Sequence, residues 1–294
     1  MKKIILLLAF FLINLTFAQK ADLTSAIIAF KKDKVVDAKK WIDVANDKLL
    51  DGKTFKPKDL AKFYHNKGLI YIKTFQDSIK VWSSDATLII DFKLLDIATD
   101  AFISDVNLNS SFLKKSLYQL NICARLYGTY AYKDYEKEDY LLAADKFIKA
   151  LLINQNEAIS MVDSTNMYNA VLSFNNGDDY LNSIKWSNEL IQINPQDKRY
   201  HLQLIDTYNE MGDLENQLIA IKDARKLLPT SKEIIFKEVN YYLTIGDNYL
   251  LKESLDNAIK SDSTNPILFF ALGSTYAQLE DIDNALDNFA KKDV

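Results

Sequence analysis

The stretch from Lys198 to Ser231 reads KRYHLQLIDTYNEMGDLENQLIAIKDARKLLPTS, and its pattern decides the fold. Leu202, Ile205, Tyr208 and, a turn later, Met211 fall at helical spacing, so they predict one helix with an apolar stripe. Gly212 can take the left-handed conformation that ends this helix. Asp213 can then cap a second helix by accepting from its first-turn amides. Leu214, Leu218, Ile221 and Ala224 continue an apolar face along that second helix, and Pro229 closes it. Neither helix can bury its stripe alone, so the pair needs neighbours.

The neighbours are written at a fixed period of 34 residues. Gly212-Asp213 returns as Gly246-Asp247, and Asp179 and Asp281 extend the acidic column in both directions. Phe174, Tyr208, Tyr242 and Tyr276 form an aromatic column. Val171, Ile205, Val239 and Gly273 form a third, and Pro195 and Pro229, continued by Ser263, a fourth. Four ungapped units follow: 164–197, 198–231, 232–265 and an incomplete 266–294. Stacked helix pairs of this kind bury a continuous core.

These columns resemble the tetratricopeptide repeat family. Leu204, Tyr208, Gly212, Asp213, Ala224 and Pro229 match its pattern in the second unit, and Phe269, Leu272, Gly273, Tyr276, Asp281, Ala285 and Phe289 in the last. The third unit gives Tyr242, Gly246, Asp247, Leu255 and Ala258; the first keeps Phe174, Asp179 and Pro195. Glu238 and Gln217 depart from it at contact positions, where looser packing is expected. The resemblance implies an all-α fold, a right-handed superhelical solenoid of antiparallel helix pairs.

Residues 19–163 look like degenerate versions of the same repeat. Ala143, Phe147 and Ala150 resemble a second helix, with residues 112–133 as its first. Residues 63–71, with Gly68 and Tyr71, resemble a first helix, preceded by a helical stretch over 35–50 containing Ala38, Trp41 and Ala45. Its own second helix is expected at 88–106, after a linker around 76–85. Residues 35–71 are also similar to the opening of exported repeat proteins of the Bacteroidetes type.

Residues 1–18 carry a positive start, an apolar run over 4–13 and small residues before Gln19, the pattern of a cleaved export signal. The alternative, a membrane anchor, needs about 20 apolar residues, and 4–17 provides 14. The mature chain is expected to be exported, periplasmic or extracellular, without membrane insertion. Seven Gly and four Pro stand where average usage gives about 35 of the two together, which argues against sandwiches, barrels and doubly wound sheets. Residues 164–294 carry 12 basic and 20 acidic side chains, which disfavours nucleic acid.

No Gly-rich phosphate loop or nucleophile elbow occurs, and His65 and His201 each stand without a second His at ligand spacing. Cys123 is the sole cysteine, which excludes an intrachain disulfide and any thiolate cluster; it reads as a core residue rather than a reactive thiol. Asp178-Asp179 and the Glu280, Asp281, Asp283 cluster read as helix caps rather than calcium ligands. No catalytic, cofactor-binding or metal residues are assigned, and no cofactor is expected.

The resemblance implies that the first helix of each pair lines a concave groove. Tyr168, Leu202, Phe236 and Phe270 would form its ridge, beside Leu172, Asp206, Asn240 and Ser274, with Asn175 and Asn176 nearby. The other reading covers the ridge with the next repeat. Two functions stay open: a non-enzymatic protein-interaction scaffold binding a partner segment in the groove, or an accessory or regulatory subunit of an exported enzyme or nutrient-uptake system. The aromatic column, Tyr208 included, is expected to be core. The incomplete last unit predicts either further chain or docking on another chain, self-association through the C-terminal repeat included.

Overall fold

A computed structural model describes residues 20–52, 54–84 and 90–291. The export-signal reading of 1–18 lies outside these residues. Fourteen helices and no strand occur among them: α1 (20–31), α2 (Val35–Leu50), α3 (Pro57–Ser84), α4 (Lys93–Asn107), α5 (Leu113–Glu136), α6 (Tyr140–Asn154), α7 (Ser164–Asn176), α8 (Tyr180–Ile193), α9 (Lys198–Glu210), α10 (Leu214–Leu227), α11 (Lys232–Ile245), α12 (Asn248–Ser261), α13 (Pro266–Gln278) and α14 (Ile282–Lys291). The fold is an all-α solenoid of helix pairs. No helix among the described residues is long and apolar enough to cross a membrane.

Two compact units form. One holds residues 131–148 and 164–291. Here α7/α8, α9/α10, α11/α12 and α13/α14 are hairpins, and each packs on the next through α8 and α9, α10 and α11, α12 and α13. All four hairpins turn the same way. The residue before the cap takes a left-handed backbone at Asp178, Gly212, Gly246 and Glu280, with φ of 59°, 70°, 74° and 61°. The amide of the following Asp then donates to the carbonyl of the aromatic column: Asp179 to Phe174 at 2.8 Å, Asp213 to Tyr208 at 2.9 Å, Asp247 to Tyr242 at 3.2 Å, Asp281 to Tyr276 at 3.0 Å. That bond satisfies a carbonyl the helix end would orphan.

Each Asp also caps the next helix. Asp179, Asp213 and Asp281 accept both the backbone N–H and the side-chain amide of the Asn three residues on, Asn182, Asn216 and Asn284. Asp247 accepts from the Leu250 backbone alone. The two departures from the family pattern are paired rather than loose. Gln217 is buried and donates to Asn209 at 3.2 Å, and Glu238 accepts from Arg225 Nε at 3.1 Å.

The other unit holds residues 20–130 and 149–163. Its core joins Ile42, Phe63, Ile70, Phe75, Leu95, Phe102, Leu120 and Tyr127, all fully buried. Gly68 lies against Phe102: a Cβ there would come within 2.5 Å of the ring. Gly273 makes the same approach to Phe289 in the last hairpin, at 2.7 Å. The linker expected at 76–85 is corrected over its described part. Helix α3 runs on to Ser84, because Phe75 and Ile79 extend its apolar face and Lys73 pairs with Asp77 one turn on, at 2.6 Å. The helix expected at 88–106 starts at Lys93.

Candidate binding face

The proposed ridge residues lie on the first helices, α7, α9, α11 and α13, and the structure treats them unequally. Tyr168 is half-buried, its ring 5.7 Å from Tyr200 and 5.4 Å from the Arg199 guanidinium. Burial, outweighing that guanidinium, raises its hydroxyl pKa. Arg199 is held in place by Asp197, through Nε at 3.0 Å and Nη2 at 2.6 Å. Leu202 and Phe236 are half-buried and pack on the core shared by α9 to α13. Phe270 is 49% exposed, and its ring sits 5.7 Å from Phe289.

The residues beside the ridge are mostly engaged. Leu172 is half-buried, and Asp206 of α9 pairs with Lys237 of α11. Asn240 is exposed, and Ser274 donates to the Phe270 carbonyl at 2.9 Å. Asn175 is buried: its Oδ1 accepts from Thr207 at 2.8 Å and its amide reaches Glu210 at 2.5 Å, which ties α7 to α9. The face therefore consists of partly covered apolar side chains flanked by neutral amides and paired charges.

The aromatic column packs on the core, though not equally deeply: Tyr242 is buried, whereas Phe174, Tyr208 and Tyr276 are half-buried at the core's margin. Tyr208 also lines a cleft of about 470 Å³ between α8 and α10, over α9. His201 lines the same cleft, buried, with Nε2 2.9 Å from the Pro195 carbonyl.

His65 is not isolated in space. Its Nδ1 lies 2.9 Å from Ser116 Oγ, Ser116 donates to Asp105 at 2.6 Å, and Ser110 donates to the other oxygen of Asp105 at 2.6 Å. Because the Ser116 proton goes to the carboxylate, His65 must donate to Ser116. Ser116 is fully buried, and the chain of bonds fastens α3, α4 and α5 together. Sequence spacing could not reveal it, since His65 and Ser116 stand 51 residues apart. Burial also pushes the Cys123 thiol up to about 12, as befits a core residue.

No protein-family model matches the chain, and no curated protein matches it either. Among solved structures, MamA from Desulfovibrio magneticus RS-1 is similar at 14% identity and a TM-score of 0.44, covering 57% of this chain and 92% of that one. TTC0263, a thermophilic TPR protein of Thermus thermophilus, is similar at 19% identity and a TM-score of 0.36, covering 57% and 89%.

Proposed function

We propose that this protein is a non-enzymatic interaction scaffold, exported to the periplasm or beyond, that holds a partner segment along the first helices of its C-terminal repeats. The observation carrying this reading is the regular placement of Tyr168, Leu202, Phe236 and Phe270 on α7, α9, α11 and α13, one per hairpin. An apolar residue at each step, beside Asn240 and the Asp206–Lys237 pair, suits a peptide with spaced apolar anchors. Phe270 and Asn240 are the accessible members, so they are the ones to test.

The test is affinity capture from the native envelope with the wild type and with Phe270→Ser plus Asn240→Ala. The reading expects a partner held by the wild type and lost by the variant, whose helical circular dichroism stays unchanged. A partner retained by the variant sinks it. Export is tested separately, by sequencing the N-terminus of the native protein: Gln19 is expected, and Met1 refutes cleavage.

A further inference from the structure

The cleft over α9 differs from its counterpart one repeat later. Its apolar walls and floor are Ile191, Leu204, Ile219 and Leu227. Thirty-four residues on, these become Arg225, Glu238, Glu253 and Ser261. There Arg225 and Glu238 are both mostly buried and pair with each other, Arg225 Nε donating to Glu238 at 3.1 Å and its guanidinium donating to the Pro229 carbonyl. Between α8 and α10, no Arg–Glu pair stands at those positions, and the walls are aliphatic.

The volume of about 470 Å³ falls in the range of small-molecule sites, about 300 to 1,000 Å³, and mostly apolar walls with a few polar groups are their usual lining. The charged residues at the rim, Asp223 and Lys226, pair with each other at 2.7 Å and offer no net charge. Burial raises the Tyr208 hydroxyl pKa, so it presents a neutral O–H. The bond to Pro195 occupies His201 Nε2 as a donor, since a carbonyl oxygen only accepts, and Nδ1 remains as the ring's second polar atom.

We propose that this cleft is a binding site for a small uncharged amphiphile, its apolar body seated against Ile191, Leu204 and Ile219 and its hydrogen-bonding end at Tyr208 and His201. The site is separate from the ridge on which the scaffold reading rests, so either can fail alone.

The experiment titrates the full chain with the neutral fluorophore N-phenyl-1-naphthylamine and competes it with 1-octanol, octanoate and octylammonium. Saturable binding at one site per chain is expected, with 1-octanol displacing the probe at least tenfold more effectively than either charged analogue. Ile191→Arg plus Leu204→Glu, which transplants the next groove's pair, should weaken the probe at least tenfold. Should that double variant misfold, Ile219→Glu, at an exposed wall position, decides the matter with the same expected loss. Absence of saturable binding, equal displacement by the charged analogues, or undiminished binding in the folded variants would overturn the proposal.

Discussion

Glu280 holds a left-handed backbone that glycine holds at Gly212 and Gly246. An L side chain there costs about 1 to 2 kcal/mol, and Glu280 is exposed, with no side-chain partner to compensate among the described contacts. Glu280→Gly is therefore expected to stabilise the last hairpin by about 1 kcal/mol, read from urea unfolding. The opposite sign applies at Gly68, where any Cβ meets the buried Phe102 ring, itself fixed in the core. Gly68→Ala should destabilise by about 1 to 3 kcal/mol, the cost of overpacking. His65 is a third case. Its pKa is lowered, by burial first, with Asp105 opposing and Lys115 adding. The unfolded chain thus takes up the proton first as pH falls below about 6.5, the ordinary value, and the native state loses stability from there down to the lowered folded pKa. Urea unfolding at pH 7 and pH 5 should show a larger loss for the wild type than for His65→Gln. Equal losses would mean that another group carries the effect. The Gly and Asp turn residues are legible in the sequence because their chemistry is local. The His65 chain is not, because its partners come from three helices.

At the scale of elements, the cap is the recurring device. Asp213→Ala removes two hydrogen bonds at the start of α10 and should cost about 1 kcal/mol, the usual figure for losing such a cap. The same substitution at Asp247, which accepts from one backbone amide only, should cost less. Thermal unfolding of the two variants checks the order. Helix boundaries in the regular repeats are readable because a left-handed residue and a capping Asp bracket every turn. The end of helix α3 escapes such a reading because Gln76, Asp77, Ser78 and Lys80 mimic a polar linker, while the residues that continue its face, Phe75 and Ile79, are only two. The ridge is legible as a column of large residues. How far each is covered is not, since coverage depends on what the adjoining helix brings: Tyr200 and Arg199 over Tyr168, Phe289 beside Phe270.

Across the molecule, contacts in the C-terminal unit run from each hairpin to the next, with α7 touching α9 and α9 touching α11. Stability in such an array is a sum of unit terms and nearest-neighbour terms. Ile205 is fully buried in α9, and Ile205→Ala should cost about 2 to 5 kcal/mol. Amide exchange should then show the loss of protection falling on α7 to α12 and fading by α14. Uniform loss across residues 164–291 would mean the unit unfolds as one block.

The turn that recurs at 178, 212, 246 and 280 has a consequence for chain length. Everything that defines the joint, from the aromatic carbonyl to the capped amide, lies within nine residues, as from Tyr208 to Asn216. Removing residues 198–231 joins Asp197 to Lys232 and leaves every remaining joint with its own sequence. Removing 17 residues instead, 198–214, would join Asp197 to Glu215 and bring α10 directly after α8, a second helix where the stack needs a first. The array can be shortened by whole repeats as a ruler is cut at its marks, and the marks are a left-handed residue and an aspartate.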